Sequence, residues 1–359
     1  MIKTYKKYLI KEFLRSILFV SAIFFSLVLI LNILEELSYF KNLDVGIIIP
    51  VFLNFLNAPS ILYNIFPFIL LIATQFFLLN VIEKNELIVL KNFGIDNFKL
   101  IKIITYFSFL ISLFIVIIFY NFSAKLKYIY LDLKNEYASD DRYLAVITEN
   151  GLWMKDEVNN KVNIINADKI MNNFLKNVTI SSFDKDYNLV SSIYSKEVNI
   201  KSTNWFIKNA KISEKGSFNN IEKDIFFQSN FNSEKINTLF SNLESLTLWE
   251  LYKLKKDYKA VGYSVSEIDL HLQKIYSYPI YLVIMTVLSA TMMLNIKHNK
   301  PKIFYILLGI FFSVLIFYLN HFANLLGENE QLPINFSIWL PHLIILILVS
   351  IGLVRINEK

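Results

Sequence analysis

The chain has no cysteine. That excludes a disulfide scaffold, a thiol nucleophile and cysteine-ligated zinc or iron–sulfur sites, although it does not fix the compartment. Proline and glycine are scarce, at seven and eight of 359 residues, and residues 125–274 hold no proline. Charged residues make up 18%, against roughly 25% in water-soluble domains. Several chemical signatures are also missing from the sequence. There is no G-x-x-x-x-G-K-[ST] phosphate loop, no G-x-S-x-G elbow and no H-E-x-x-H zinc motif. The chain is therefore expected to hold no nucleotide, metal or other cofactor of its own.

Apolar residues are abundant, at 55% with a mean hydropathy of +0.44, and they are concentrated. Six runs hold no Asp, Glu, Lys or Arg: Ser16–Leu34, Ser60–Ile82, Ile103–Ala124, Ile275–Ile296, Ile303–Leu326 and Ile334–Val354. A helix rising 1.5 Å per residue needs about 20 residues to cross a hydrocarbon layer of about 30 Å. A soluble core helix of such length shows a polar stripe, and these runs show none. Six transmembrane helices are predicted. The first run is too long for a signal peptide and lacks a small-residue cleavage site, so it is expected to remain as an anchor.

The loops between the runs divide by charge. Residues 1–15, 83–102, 297–302 and 355–359 together carry a basic surplus of nine, whereas the short segments on the opposite side carry an acidic surplus of four. Basic loops stay on the cytoplasmic side, so both termini are expected in the cytoplasm. The net charge of +6 thus marks topology, with no nucleic-acid surface required.

Residues 125–274 form a long insert between the third and fourth runs, on the extracytoplasmic side. Val178-Thr-Ile180 and Trp205-Phe-Ile-Lys-Asn-Ala-Lys-Ile212 alternate as strands do, and Asp184-Lys-Asp-Tyr-Asn188 and Asn219-Asn220 carry turn chemistry. A sandwich, jelly roll or open barrel is expected. The insert ends in a helix that Thr247 and Glu250 start as a capping box. The expected fold class is a six-helix membrane protein with an inserted periplasmic all-β, jellyroll-like domain. Its parts are 1–124 (helices one to three), 125–274 (the β domain with flanking linkers) and 275–359 (helices four to six).

The acid-free runs exclude an aspartyl intramembrane protease, leaving only a serine–histidine arrangement for that chemistry. His271, His298, His321 and His342 are too dispersed for a metal cluster, although His321 and His342, near ends of adjacent antiparallel helices, are within reach of one another. The cytoplasmic stretch Lys84-Asn-Glu86-Leu-Ile-Val-Leu-Lys-Asn-Phe-Gly94-Ile-Asp is more informative. Leu87, Leu90 and Gly94 fall at helical spacing, which predicts an amphipathic helix over about 84–98. Such a helix either enters a groove on a soluble partner or rests on lipid headgroups.

The stretch from Glu86 to Gly94 resembles the coupling helix of the LptF/LptG (YjgP/YjgQ) permeases, and further pieces agree in order. Glu35-Glu36-Leu37 closes the first helix, and Pro59 and Pro67 open the second. Gly151-Leu-Trp153-Met-Lys-Asp156 resembles the start of that family's periplasmic domain, and Leu246-Thr-Leu-Trp-Glu-Leu251 an element before the fourth helix. Pro279, Leu332-Pro333 and Trp339-Leu-Pro341 complete the set, which is more like LptG than LptF.

The resemblance implies a transmembrane permease subunit of an ABC transporter that extracts lipopolysaccharide from the bacterial inner membrane. It implies a heterodimer with an LptF-like paralogue, two LptB-like ATPase subunits that bind the ATP, an LptC-like single-span protein and an LptA-like periplasmic bridge. Glu86, Leu87, Leu90 and Gly94 are then the ATPase-coupling residues. Lipid phosphates favour lysines at the outer membrane boundary, which nominates Lys41, Lys127 and Lys134, with Lys125 in the same zone. The basic residue that relatives carry near the end of helix one is here Asn32, and Lys41 is the candidate substitute. Trp153, Ile180 and Phe206 are expected to face inward in the β domain and line a slot for acyl chains. A mechanotransmission protein or a sensor with a ligand-binding periplasmic domain is the alternative. The first group has four spans, and a sensor needs a cytoplasmic output domain that these short loops do not provide.

Overall fold

The structure is a computed structural model that describes residues 4–41, 45–137, 152–158, 161–171, 173–184, 188–214, 222–233, 236, 242–260, 265–295, 302–329 and 331–357. Gly151, His298 and the turn residues at 185–187 and 219–220 lie outside them. In chain order the elements begin with α1 (Thr4–Phe40), α2 (Ile48–Glu83), α3 (Glu86–Asn92), α4 (Asn97–Phe114), a π-helical turn (Ile115–Phe119) and α5 (Tyr120–Glu136). Strands β1 (Leu152–Val158), β2 (Lys161–Ala167), β3 (Lys169–Met171), β4 (Phe174–Phe183), β5 (Leu189–Asn199), β6 (Asn204–Glu214) and β7 (Glu222–Gln228) follow. Helices α6 (Leu248–Ala260), α7 (Ser266–Leu294), α8 (Lys302–Glu328) and α9 (Ile334–Asn357) complete the chain. Two compact units result, Met1–Lys127 with Ser266–Lys359, and Tyr128–Val265.

The first unit contains six helical spans long and apolar enough to cross a bilayer: α1, α2, α4 continued through the π turn into α5, α7, α8 and α9. The helices outrun the apolar runs because helix formation needs backbone pairing rather than hydrophobicity at its ends. With Glu267 and Asp269 favourable in its first turn, α7 starts at Ser266 instead of Ile275. Likewise α2 starts at Ile48, so Pro59 and Pro67 stand inside it rather than at its opening. Each internal proline deprives the carbonyl four residues earlier of its helical partner. For Pro67 that carbonyl is Tyr63 O, and the Tyr278 hydroxyl donates to it from α7.

Helices α2 and α7 form the centre of this unit. Their most apolar windows are 67% and 61% buried, against 17% for α1 and α8. The interhelical contacts include hydrogen bonds of polar side chains, which bind helices where no water competes. Ser289 Oγ donates to Leu71 O at 2.8 Å, Asn54 Nδ2 to Leu29 O at 2.8 Å, and the Ser108 and Thr286 hydroxyls pair at 2.6 Å. Gln75 Nε2 donates to Tyr305 O at 2.9 Å, reaching α8 where Gly309 presents no side chain.

In the second unit the seven strands form one antiparallel sheet in the order β1-β2-β4-β5-β6-β7, with β3 attached to β4. It is an all-β domain as expected, and its described strands run as an up-and-down meander. The inner face carries Leu152, Met154, Ile165, Ala167, Leu175, Val178, Ile180, Ile193, Val198, Trp205 and Ile207, all buried. Asn177 and Asn209 adopt positive φ within β4 and β6, and the ladder shifts register between Ile207 and Ala210. Asparagine tolerates that conformation, and the site at Asn209 acts as a bulge that changes which parity points inward. Beyond the sheet, the Thr247 hydroxyl and amide both bond Glu250 Oε2, at 2.7 and 2.8 Å, capping α6 so that Leu251 and Leu254 are buried.

Candidate functional site

Helix α2 ends at Glu83, and Asn85, with φ 57°, turns the chain into α3. The helix is short: it spans Glu86–Asn92 rather than 84–98. Gly94 stops it, with φ +74°. Its amide donates to Lys91 O at 2.9 Å and the Ile95 amide to Leu90 O at 3.0 Å, the paired bonds of a Schellman ending. Gly94 is therefore a terminator and not part of the helical face. Asp96 then caps α4 by accepting from the Lys99 amide at 2.7 Å, and Lys99 Nζ donates to Gly94 O at 2.8 Å. The result is a fixed elbow of turn, helix and turn between two spans.

The elbow groups three of the four coupling candidates on one helix. Glu86 opens α3 and accepts a hydrogen bond from the Tyr8 hydroxyl of α1 at 2.7 Å. Leu87 and Leu90 are half-buried, while Ile88, Val89 and Phe93 are exposed, Phe93 at 80%. Leu87 and Leu90 thus steady the helix, and the apolar residues it presents are Ile88, Val89 and Phe93. Their signal lay in the same motif: on a helix with Leu87 and Leu90 turned inward, Ile88 and Val89 fall on the other flank.

The boundary lysines occupy different environments. Lys41 is exposed just beyond the end of α1, and Lys125 is exposed on α5. Lys127 Nζ donates to Asn57 Oδ1 of α2 at 2.7 Å. Lys134 is buried, at 4% exposure, and its Nζ donates to the Tyr130 hydroxyl at 2.7 Å.

Of the three residues expected to face into the β domain, only Ile180 does, at 1% exposure. Trp153 is 55% exposed, because β1 buries Leu152, Met154 and Asp156 and leaves the other parity outside. Phe206 also lies on the outer face, against exposed Phe226 with ring centroids 5.4 Å apart. Its neighbour Trp205 is the buried residue. The reason is the bulge at Asn209: the parity that buries Ala210 continues upstream as Ile207 and Trp205, not as Phe206.

Asp156 ends the Gly-Leu-Trp-Met-Lys-Asp motif of the sequence. It is fully buried, and its carboxylate accepts from Ser229 Oγ at 2.7 Å, Asn230 Nδ2 at 2.9 Å and the Asn230 amide at 3.1 Å. His342 is buried, its ring 5.0 Å from that of Tyr281, whereas His321 is exposed and stacks on Phe317 of its own helix. His271 Nε2 and the Tyr120 hydroxyl are hydrogen-bonded at 3.1 Å, just beyond the π turn.

The family model for the lipopolysaccharide export system permeases LptF and LptG matches residues 7–355. No curated protein matches the chain. Six apolar spans with an antiparallel sheet between the third and fourth agree with that family across nearly the whole length. The family's members are multi-pass inner-membrane permease subunits of a transporter, which are not themselves catalytic. From residue 7 to residue 355, and in the architecture built on that sequence, this chain belongs to the LptF/LptG family of lipopolysaccharide export permeases.

Proposed function

We propose that the chain is the LptG-type half of a heterodimer with an LptF-like paralogue, carried by two LptB-like ATPase subunits that bind the ATP. The observation that carries this reading is the elbow at α3, where Ile88, Val89 and Phe93 are exposed beside Glu86. An exposed apolar helix face next to a carboxylate suits insertion into a groove on a soluble partner. The charge balance of the loops supports α3 and both termini being cytoplasmic and the β domain periplasmic.

In this mechanism ATP-driven closure of the partner pushes α3 and, through its tight turns, moves α2 and α4. The cavity between the two permease halves narrows and expels the acyl chains. Lys41, exposed at the end of α1, and Lys127 are the residues proposed to meet lipid phosphates, with Lys134 held back in its buried pairing. The lipid then passes through the β domain to an LptC-like protein and an LptA-like bridge.

Affinity purification in mild detergent tests the assembly. An ATPase and a second six-span permease are expected to co-purify, and recovery of the chain alone rejects the reading. Glu86→Lys is expected to leave membrane insertion intact while removing lipid-coupled ATP hydrolysis. Normal lipid export by that variant removes α3 from the coupling role.

A further inference from the structure

Helix α6 keeps one face for the protein and turns a chemically different one outward. Leu251 and Leu254 are buried and Tyr258 is half-buried. At 100° per residue these three lie within about 60° of one another around the helix. The opposite arc, about 120° wide, holds Trp249, Tyr252, Lys253, Lys256 and Lys259, all exposed. The acids of the helix, Glu250 and Asp257, stand to one flank of that arc. Trp249, at 81%, is the most exposed of the chain's four tryptophans.

Neither water nor hydrocarbon suits such a face. In water the two rings leave a large apolar area unburied, and in hydrocarbon the three ammonium groups lose their hydration. The headgroup layer between them accommodates both, because amphipathic rings settle there and ammonium groups pair with phosphates. An apolar groove on a soluble partner is a poorer match, since it would desolvate the lysines that are interleaved with the rings.

Two features of the chain keep α6 close to that layer. The third apolar run ends at Ala124, and Tyr128 stands one turn beyond it, about 6 Å along the same continuous helix. The Glu250 carboxylate, in the first turn of α6, is near enough to act electrostatically on the Tyr128 hydroxyl. Headgroups occupy about 5–7 Å on each side of the hydrocarbon, so Tyr128 and the first turn of α6 lie at their depth. At the other end, only residues 261–265 separate α6 from α7. That tether reaches no more than about 20 Å.

We infer that α6 is a membrane-surface helix. Trp249 and Tyr252 lie among the headgroups of the leaflet from which the third and fourth spans emerge. Lys253, Lys256 and Lys259 meet the phosphates of its anionic phospholipids. The β domain is thereby tethered to that leaflet, whichever lipid the protein exports.

The cysteine-free chain gives a direct test. Tyr252→Cys, carrying a nitroxide spin label, is placed in the intact transporter in nanodiscs of phosphatidylethanolamine with phosphatidylglycerol. Its label is expected to collide more with dissolved oxygen, which concentrates in lipid, than with a water-soluble nickel chelate. The same label at Lys196→Cys, exposed on β5, is expected to show the reverse. Adding Lys256→Gln and Lys259→Gln is expected to lower the oxygen-to-nickel ratio at Tyr252→Cys about fivefold or more, the effect of losing one lysine's attraction to an anionic surface. Replacing phosphatidylglycerol with phosphatidylcholine is expected to act in the same direction. No variant touches Leu251 or Leu254, so the helix stays docked in each.

A label at Tyr252→Cys that meets the chelate as freely as the one at Lys196→Cys overturns the proposal. So does a label screened from both collision partners, which would mean that protein covers the face. A ratio indifferent to lipid charge and to the two glutamines overturns it as well. Lipopolysaccharide is absent from these discs, so failure of the export reading and failure of this one are separate results.

Discussion

Single residues decide how closely the spans approach. A Cβ built on Gly309 would lie 2.0 Å from Gln75 Nε2, so the fully buried Gln75 side chain occupies the space that glycine leaves. Gly309→Ala forces Gln75 out of its bond to Tyr305 O, and overpacking of this kind costs about 1–3 kcal/mol. A lower midpoint of thermal unfolding in detergent is the expected result. Adding Gln75→Ala removes the clash and is expected to recover part of the loss, whereas additive destabilisation in the double variant would show that the two residues act separately. Neither residue was singled out in the sequence. The interaction joins positions 230 apart along the chain, and no local pattern announces such a pair. Asp156 belongs to the same class: its motif was visible, but its partners lie 73 and 74 residues downstream.

At the scale of the element, α3 depends on where it stops. Gly94 at φ +74° has open space around the missing Cβ, so the penalty for Gly94→Ala is conformational, about 1 kcal/mol, rather than steric. That variant is expected to loosen the elbow and reduce lipid released per ATP hydrolysed, with the chain still inserted. Gly94→Asn, which tolerates the left-handed conformation, should lie nearer to wild type. Identical coupling in all three proteins would dissociate the elbow from force transfer. Spacing alone placed Gly94 on the helical face because a periodic pattern does not register a change in the sign of φ. The β domain taught the same lesson. Strand existence was legible from alternation at Val178–Ile180 and Trp205–Ile212, but the bulge at Asn209 reversed the parity and exchanged Phe206 for Trp205.

The architecture of the whole molecule was the most legible part. Six spans follow from six runs without charge, and that signal survives because a charge in hydrocarbon is so costly that its absence carries information. Helix ends were less legible, since α5 and α7 continue as helices into sequence that is charged and polar. The proposed sidedness is open to a direct check in the cysteine-free background. Lys41→Cys is expected to react with a membrane-impermeant maleimide added to intact cells whose outer membrane has been permeabilised. Phe93→Cys is expected to react only after the inner membrane is opened. The reverse pattern would invert the topology and place α3 out of reach of any cytoplasmic ATPase.

The π-helical turn at Ile115–Phe119 acts on the third span as a phase shifter. The Tyr120 amide closes back onto Ile115 O, a span of five residues where an α-helix uses four. One surplus residue sets everything after it back by about 100° around the helix axis relative to an uninterrupted α-helix. Tyr120 and Lys127 both lie beyond that point, and in this offset setting they meet His271 and Asn57. The third span therefore has two azimuthal settings, one before the turn and one after it. Its first half can be packed for one set of neighbours while its second half aims the hydroxyl of Tyr120 and the amine of Lys127 at another.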